Sequence, residues 1–474
     1  MNLSKQWFRR VCVSSLLISI GIAAWAEPPA PRSPVESEHL ARDVLAELVG
    51  LDTTHAVGSA KAVEALAKRF RDAGFSASDI YVGGPRPDKM NIVVRFRGRG
   101  KGAPVLFNAH LDVVEATRDT WSVEPFRLTE KDGFFYGRGT IDVKQEVAIV
   151  TANLIRLKQE HFVPDRDVIA FFNTDEEAGG DANGVEWMIK EHRPLIDAGL
   201  VINQDAGKGQ ALRGVRLWSA VQTAEKVYAT YELSATGSGG HSSLPPRDNA
   251  IAKVSAAVAR LDGYQFPVRF SATTRRYLEA TASHLDAAQA TALRKLLANP
   301  DDGAALDAIR DVPVLNAQVH STCPATLVQG GQSESALPMK AKATLQCRLL
   351  PDEEPAAVLA TLRRVVADPA VEITVSSPPA QSPPGVLDPG VMKKIEKVTT
   401  GMWPGVGVVP VMSSGASDNV FFRLGGFQTL GVSGTFVEET DLRAHGRDER
   451  VAVTAFYESL EFSYRLIQSL SSAR

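Results

Sequence analysis

Residues 168–173, VIAFFN, run for six positions without a charge. A short run so rich in β-branched and aromatic residues reads as a strand buried on both faces, and such a strand needs helices above and below it. The neighbouring segments supply them. Val44, Leu45, Leu48 and Val49 recur at helical spacing, and residues 60–73 form a second amphipathic stretch closed by Gly74. Residues 91–96, 105–107 and 200–203 read as strands, and 145–157 and 183–192 as helices. This alternation predicts a mostly parallel sheet with helices on both faces.

The pattern changes near residue 225. Residues 226–235 (KVYATYELSA) alternate as a half-buried strand does, 249–261 read as a helix, 340–349 as a strand and 354–367 as a helix. Together they predict a small α+β unit inserted into the first domain. Residues 262–317, rich in Ala, Leu and Arg, do not fit a four-element unit and read as an added helical excursion. After 369 the chain returns to the first domain, with strands at 408–411 and 429–432 and a closing helix over 451–470.

The chain has 474 residues, 44% hydrophobic and 23% charged, with a formal net charge of -3. That is ordinary globular composition with room for two or three domains, and the near-neutral balance argues against nucleic acid as the main partner. At the N-terminus, Lys5, Arg9 and Arg10 precede an apolar stretch over 11–24, and Ala24-Trp25-Ala26 fits a small-x-small cleavage site. Residues 1–26 therefore read as a signal peptide, and 27–38, rich in Pro and Ala, as a linker. The apolar stretch is short for a membrane span. The expectation is a periplasmic or secreted protein with no membrane attachment after cleavage. Once Cys12 leaves with the signal, Cys323 and Cys347 remain; they either pair or persist as two buried thiols.

The chemistry-bearing residues sit at the ends of the apolar runs. His110 and Asp112 lie two apart in NAHLDVV (108–114), and in an extended chain both point to one face. His110 reads as a metal ligand and Asp112 as the carboxylate that receives its other ring N–H. Asp142 ends the Gly-rich GRGTID (137–142), Asp175-Glu176-Glu177 follow VIAFFN and Thr174, Asp205 follows 200–203, and His445 lies in AHGRDE (444–449). In open α/β sheets ligands bind outside the carboxyl ends of the strands, so these distant residues would converge on one crevice. Clustered acids repel one another, and a divalent cation removes that cost. Two His and several carboxylates without a thiolate suit zinc, with cobalt or manganese as substitutes. Five ligands, one of them bridging, fill a two-metal site. Of the adjacent Glu176 and Glu177, one can bind metal while the other stays free as a general base.

The ordered series AHLDVV, YGRGTIDVK, TDEEAGG, Asp205, GSGGHSSLP, CRLLP, GASD and AHGRDE resembles the M20 family of dinuclear zinc peptidases, which includes aminoacylases, glutamate carboxypeptidases and dipeptidases. The resemblance spans roughly residues 39–470. It implies an α/β fold: a split catalytic domain (39–224 and 369–474) with a mostly parallel sheet and helices on both faces, plus an inserted α+β lid or dimerisation domain (225–368). It also implies two Zn2+ per chain, with His110 and Asp205 on one, Glu177 and His445 on the other, and Asp142 bridging. Glu176 would be the general base and Asp112 would orient His110. His241, in GGHSS (239–243), would stabilise the oxyanion, arriving from the partner subunit in dimeric members. Arg348 would clamp a substrate carboxylate, and Gly415 and Ser417 would form a loop near that carboxylate.

The implied activity is hydrolysis of small peptides with a free C-terminal carboxylate. An N-acyl-amino-acid deacylase is the alternative, and a non-catalytic metal-dependent peptide-binding protein a third reading. A hinge is expected near 221–226 and 350–355, and a homodimer through the lid. The chain departs from the family pattern at Gln145, which is bulkier than the usual small residue and puts substrate-side packing there in question. Ser335 stands where many members carry Asn, and Gln204-Asp205 where relatives often read Asn-Glu-Gly.

Overall fold

A computed structural model describes residues 30–472 apart from 179, 181 and 378; the signal segment and Cys12 lie outside them. The main sheet runs in the order Ile80–Arg86, Lys89–Phe96, Val168–Asn173, Val105–His110, Leu200–Asn203, Thr429–Gly431, Val215–Glu225, Gly209–Leu212 and Phe436–Glu438, with Gly407–Ser413 also paired to Val215–Glu225. Its central strands are parallel. Val105–His110 and Val168–Asn173 are buried at every position. On one face Leu106, Ile169, Phe171 and Val201 pack with Val185, Met188, Phe422 and Phe427. The other face is served by Lys144–Gln159, a helix buried almost all round because Val35–Val49 and Val453–Ser471 cover it in turn. The expected fold class holds.

Three features depart from expectation. Residues 33–38 are not linker: Val35 begins a helix and the Ser33 hydroxyl donates to Glu461 at 2.9 Å. The prolines that suggested a mobile segment end at the helix N-cap, Pro34, where a fixed φ is compatible with helix entry. The hairpin partner Ile80–Arg86, with its glycines and proline, carries no strand pattern in sequence, yet it pairs antiparallel to Lys89–Phe96. And residues 221–225 are not hinge loop but the end of an eleven-residue strand, Val215–Glu225. Only Lys226 separates that strand from Val227–Thr236 of the lid. Its ammonium is buried, donates to the His320 carbonyl at 2.9 Å, and is pushed down to about 8 by burial.

The lid sheet has the order Ala325–Gly330, Lys340–Leu349, Val227–Thr236, Val371–Ser377. Its fourth strand crosses the expected boundary at 368, because Val371–Ser377 pairs with Val227–Thr236 rather than returning to the main sheet. Cys323 and Cys347 are disulfide-bonded within this unit.

The helical excursion forms Ala272–Thr281, Ala287–Ala298, Gly303–Arg310 and Pro313–Val319 around Leu278, Leu293, Leu296, Ile309 and Leu315. It packs against the main sheet: Thr273 meets Thr223 at 2.9 Å, the Gln318 amide donates to the Met412 carbonyl at 2.9 Å, and Tyr277 stands edge-on to Trp218. Among the described residues no helix is long and apolar enough to cross a membrane.

Candidate metal centre

Strand register builds the crevice. Val105–His110 lies between Val168–Asn173 and Leu200–Asn203, with His110 opposite Asn173 and Asn108 opposite Asn203. The three parallel strands end side by side, so His110, the acidic loop after Thr174 and Asp205 emerge at one rim.

Asp142 reaches the same rim from the Gly-rich turn. Glu449 holds that turn: its buried carboxylate accepts from the backbone N–H of Gly139 (3.1 Å), Ile141 (2.8 Å) and Asp142 (3.1 Å), and from the Arg138 guanidinium at 2.7 Å. Gly139 adopts φ +89°, and a side chain there would run into Lys144. The sequence motif AHGRDE contains Glu449, but its role needed the fold to be visible.

Two donor sets result. His110, Asp142 and Asp205 form one, and Asp142, Glu177 and His445 the other, each with ligand atoms within 4.8 Å of one another. His110 Nε2 lies 3.3 Å from Asp142 Oδ1; His445 Nε2 lies 3.2 Å from Asp142 Oδ2 and 2.9 Å from Glu177 Oε2. Asp142 thus faces both sets with different oxygens. Two imidazoles and three carboxylates without thiolate are a donor set that suits a zinc-like divalent cation.

The electrostatics show how tightly the acids and imidazoles are gathered. Hydrogen bonds to Asp142 and Glu177 raise His445 to about 10. Burial opposes protonation of His110, yet Asp142 and the surrounding acids lift it well above the usual imidazole range. Burial also pushes the Glu176 carboxyl well up, with Asp418, Asp205 and Glu177 adding to the effect. Acids crowded in this way repel one another, and a divalent cation relieves that repulsion.

Asp112 acts differently from expectation. Its backbone carbonyl, not its carboxylate, takes the His110 Nδ1 contact at 3.0 Å; the carboxylate is 3.8 Å away. The carboxylate instead accepts from the N–H groups of Glu176 (3.2 Å) and Glu177 (3.0 Å). It therefore fixes the loop that presents the two glutamates. A second support, invisible in sequence, is Lys89. Its fully buried ammonium contacts Asp175 at 2.5 Å and the His55 carbonyl at 2.6 Å, holding Asp175 at φ 56°. Lys208 is another unforeseen cation: its ammonium faces Asp205 at 3.3 Å, and that carboxylate raises its pKa against the effect of burial. Among the described residues the Glu176 carboxylate has no hydrogen-bond partner, so it stands beside both donor sets with its lone pairs open.

The remaining expected residues do not join the cluster within this chain. His241 is exposed on Gly240–His241 and its Nδ1 contacts the Ser243 hydroxyl at 2.8 Å. Arg348 lies on the lid strand Lys340–Leu349, over the Tyr228 ring, with Nη1 buried and unpartnered. Ser417 donates to buried Glu225 at 2.8 Å, and Glu225 pairs with Arg423 at 3.0 Å; Gly415 N–H donates to Ser413 at 3.1 Å. Gln145 is wholly buried beneath the rim, where its amide meets Thr435 at 3.2 Å, so its bulk does not act on the substrate side.

The family model for peptidase family M20/M25/M40 matches residues 106–469. The chain belongs to the M20 family. This M20 chain is an enzyme of the hydrolase type. It is similar to the N-fatty-acyl-amino acid synthase/hydrolase PM20D1 of Homo sapiens, 28% identical over 385 residues, covering 77% of this chain and 74% of that protein. It is also similar to the probable carboxypeptidase S-like 2 of Dictyostelium discoideum, 26% identical over 378 residues, covering 77% and 71%. Among solved structures, the M20 family metallo-carboxypeptidase Sso-CP2 from Sulfolobus solfataricus shares the fold with a TM-score of 0.68, 17% identity and coverage of 91% of this chain and 99% of that one. Human carnosine dipeptidase 1 does so at 0.65, with 14% identity and coverage of 93% and 100%.

Proposed function

We propose that this chain hydrolyses the amide bond of N-acyl amino acids with the help of two zinc ions, one held by His110 and Asp205, the other by Glu177 and His445, with Asp142 shared. The observation that carries the reading is a pair of donor sets that share one aspartate, with the Glu176 carboxyl near enough to interact with His110, Asp205 and Glu177. When bound, the ions would acidify a water and polarise the amide carbonyl.

The chain's own groups do the rest. Glu176 takes the proton from the water and delivers it to the leaving nitrogen, the two halves of general acid–base transfer. Asp112 and Lys89 hold the loop that aims it. Arg348 offers a planar fork for the substrate carboxylate, and its unpartnered Nη1 supports that role. His241 stabilises the oxyanion from a lid that has closed or belongs to a partner subunit.

The sequence reading put peptides first. The names of the relatives that match over most of both chains move N-acyl amino acids ahead. A carboxypeptidase or dipeptidase is the second reading, supported by the carboxypeptidase S-like relative. The test compares N-acyl amino acids, free dipeptides and their C-terminal amides with zinc-loaded protein. Cleavage of N-acyl amino acids ahead of dipeptides supports the first reading; the reverse order supports the second. Equal cleavage of the amides removes the Arg348 clamp.

We further propose export, supported by the segment over 1–26 and by the Cys323–Cys347 bond, which suits an oxidising compartment. We also propose a homodimer through the lid. Every residue of the edge strand Ala325–Gly330 is exposed, Leu327 and Val328 among them, and such an edge is open to pairing.

A further inference from the structure

We propose that a cavity of about 510 Å³ on the catalytic side of the metal centre is the subsite for the acyl chain of the substrate. The inference rests on the N-acyl amino acid reading above and adds where the acyl group lies and what it must be.

Two chain neighbours and one contact place the cavity next to the centre. Its wall contains Ile141, the neighbour of Asp142, and Ala444, the neighbour of His445; its floor contains Lys208, whose ammonium touches Asp205. The other walls are largely apolar: Phe134, Phe436, Val437 and Val451, with Leu442 standing 65% exposed among them. The charged groups around it are engaged, Glu438 by the backbone N–H of Arg213 at 2.7 Å and of Gly214 at 3.0 Å. Asp441 takes both Arg443, at 2.5 Å, and Arg450, at 2.7 Å, and Arg216 pairs with Glu458 at 2.6 Å. Lys208, at the metal side, likewise faces Asp205, so the arginines named here and this lysine all have carboxylate partners. Its volume falls in the range of small-ligand pockets, about 300–1,000 Å³.

The placement is directional. All of the lining residues lie within 134–216 and 436–454, and none belongs to the lid. The candidate carboxylate clamp, Arg348, belongs to the lid strand Lys340–Leu349. An amide between the two donor sets would thus send its carboxylate towards the lid and its acyl chain into the apolar cavity. An acetyl group would leave most of that space unfilled, whereas an aliphatic chain of several carbons would desolvate its walls.

The test is a chain-length series of N-acyl phenylalanines, acetyl to tetradecanoyl, with zinc-loaded full-length protein. Burial of successive methylenes should raise kcat/KM by about fourfold each until the cavity is full. Val437→Trp, on Phe436–Glu438, fills the cavity from one wall; Ala211→Phe, on the neighbouring strand Gly209–Leu212, fills it from another. Each should lower the dodecanoyl-to-acetyl ratio of kcat/KM at least tenfold, a ratio that cancels partial misfolding. Calorimetric binding of dodecanoate, which needs no turnover, should weaken tenfold or more in the same variants.

If acetyl substrates are cleaved and the ratio is flat in the parent protein, or survives both fillings, the cavity is not the acyl subsite and the hydrolase reading stands. If no N-acyl amino acid is cleaved but dodecanoate binds in a way that both fillings abolish, the subsite stands and the substrate reading falls. Absence of both dodecanoate binding and a chain-length effect overturns the subsite outright.

Discussion

Glu176 and Glu177 are neighbours in sequence with opposite surroundings. Glu177 meets His445 at 2.9 Å, while Glu176 points among acids with no hydrogen-bond partner among the described residues. Glu176→Gln keeps the shape and removes the proton acceptor. It should retain zinc at parental stoichiometry and lose about 10²–10⁴-fold in kcat, the usual span for a general base; near-parental turnover with full metal content would strip Glu176 of the role. Glu449 acts one layer out. It balances Arg138 and gathers three backbone N–H groups of the turn that ends at Asp142. Both partners of that ion pair are buried, and breaking a buried pair leaves a charge uncompensated at a cost of about 3–5 kcal/mol. Glu449→Gln should therefore lower stability in urea titrations by about that amount and also weaken zinc retention, measured by competition with a chelator. Loss of stability with unchanged zinc affinity would limit Glu449 to a structural part.

At the scale of elements, what could be read in advance followed burial. VIAFFN was legible because six consecutive buried positions exclude charge, and its bounds coincide with the observed strand. His110, Asp142 and Asp205 were legible because each closes an apolar run or a Gly-rich turn; the choice of Glu177 over Glu176, and the part of His445, rested on the family resemblance, and the fold gathers all five. Lys89 and Lys208 were not, since a lysine in sequence looks solvated and only the crossing of distant segments buries it. The strand Val371–Ser377 was missed for a similar reason: its pairing with Val227–Thr236 spans the whole lid, and no local pattern assigns it to one sheet rather than the other.

His320, after the last excursion helix, gives this scale a pH signature. Burial, then the charges of Lys226 and Arg310, push its imidazole down to about 4. The unfolded chain titrates near 6.5, so between those values the unfolded state holds a proton that the folded state lacks. The stability from a neutral His320 is complete above about 6.5 and is lost as pH falls towards about 4. His320→Gln should flatten the dependence of the urea midpoint on pH across that window relative to the parent; identical slopes would show that the imidazole is not held neutral.

For the whole molecule, the proposed parts of His241 and Arg348 depend on where the lid lies. His241 and Arg348 stay apart from the metal-ligand cluster in the isolated chain. The proposed dimer makes a specific expectation: Val328→Lys on the exposed edge strand should shift the sedimenting mass from dimer to monomer and lower kcat, while zinc content is unchanged. A monomeric parent with full activity would remove the dimer from the mechanism.

The lid also enters and leaves the main sheet at one place. Gly385 N–H donates to the Thr223 carbonyl at 2.6 Å, so the chain returns to within a hydrogen bond of where it departed. All of the proposed ligands and the base, His110, Asp142, Glu176, Glu177, Asp205 and His445, lie outside the stretch so enclosed. In evolutionary terms the enclosed stretch is a cassette. Its length and sequence do not set the register of Val105–His110, which is fixed by Val168–Asn173 and Leu200–Asn203 outside it. A chain built in this way would let the enclosed stretch vary while the hydrolase centre stays in one frame.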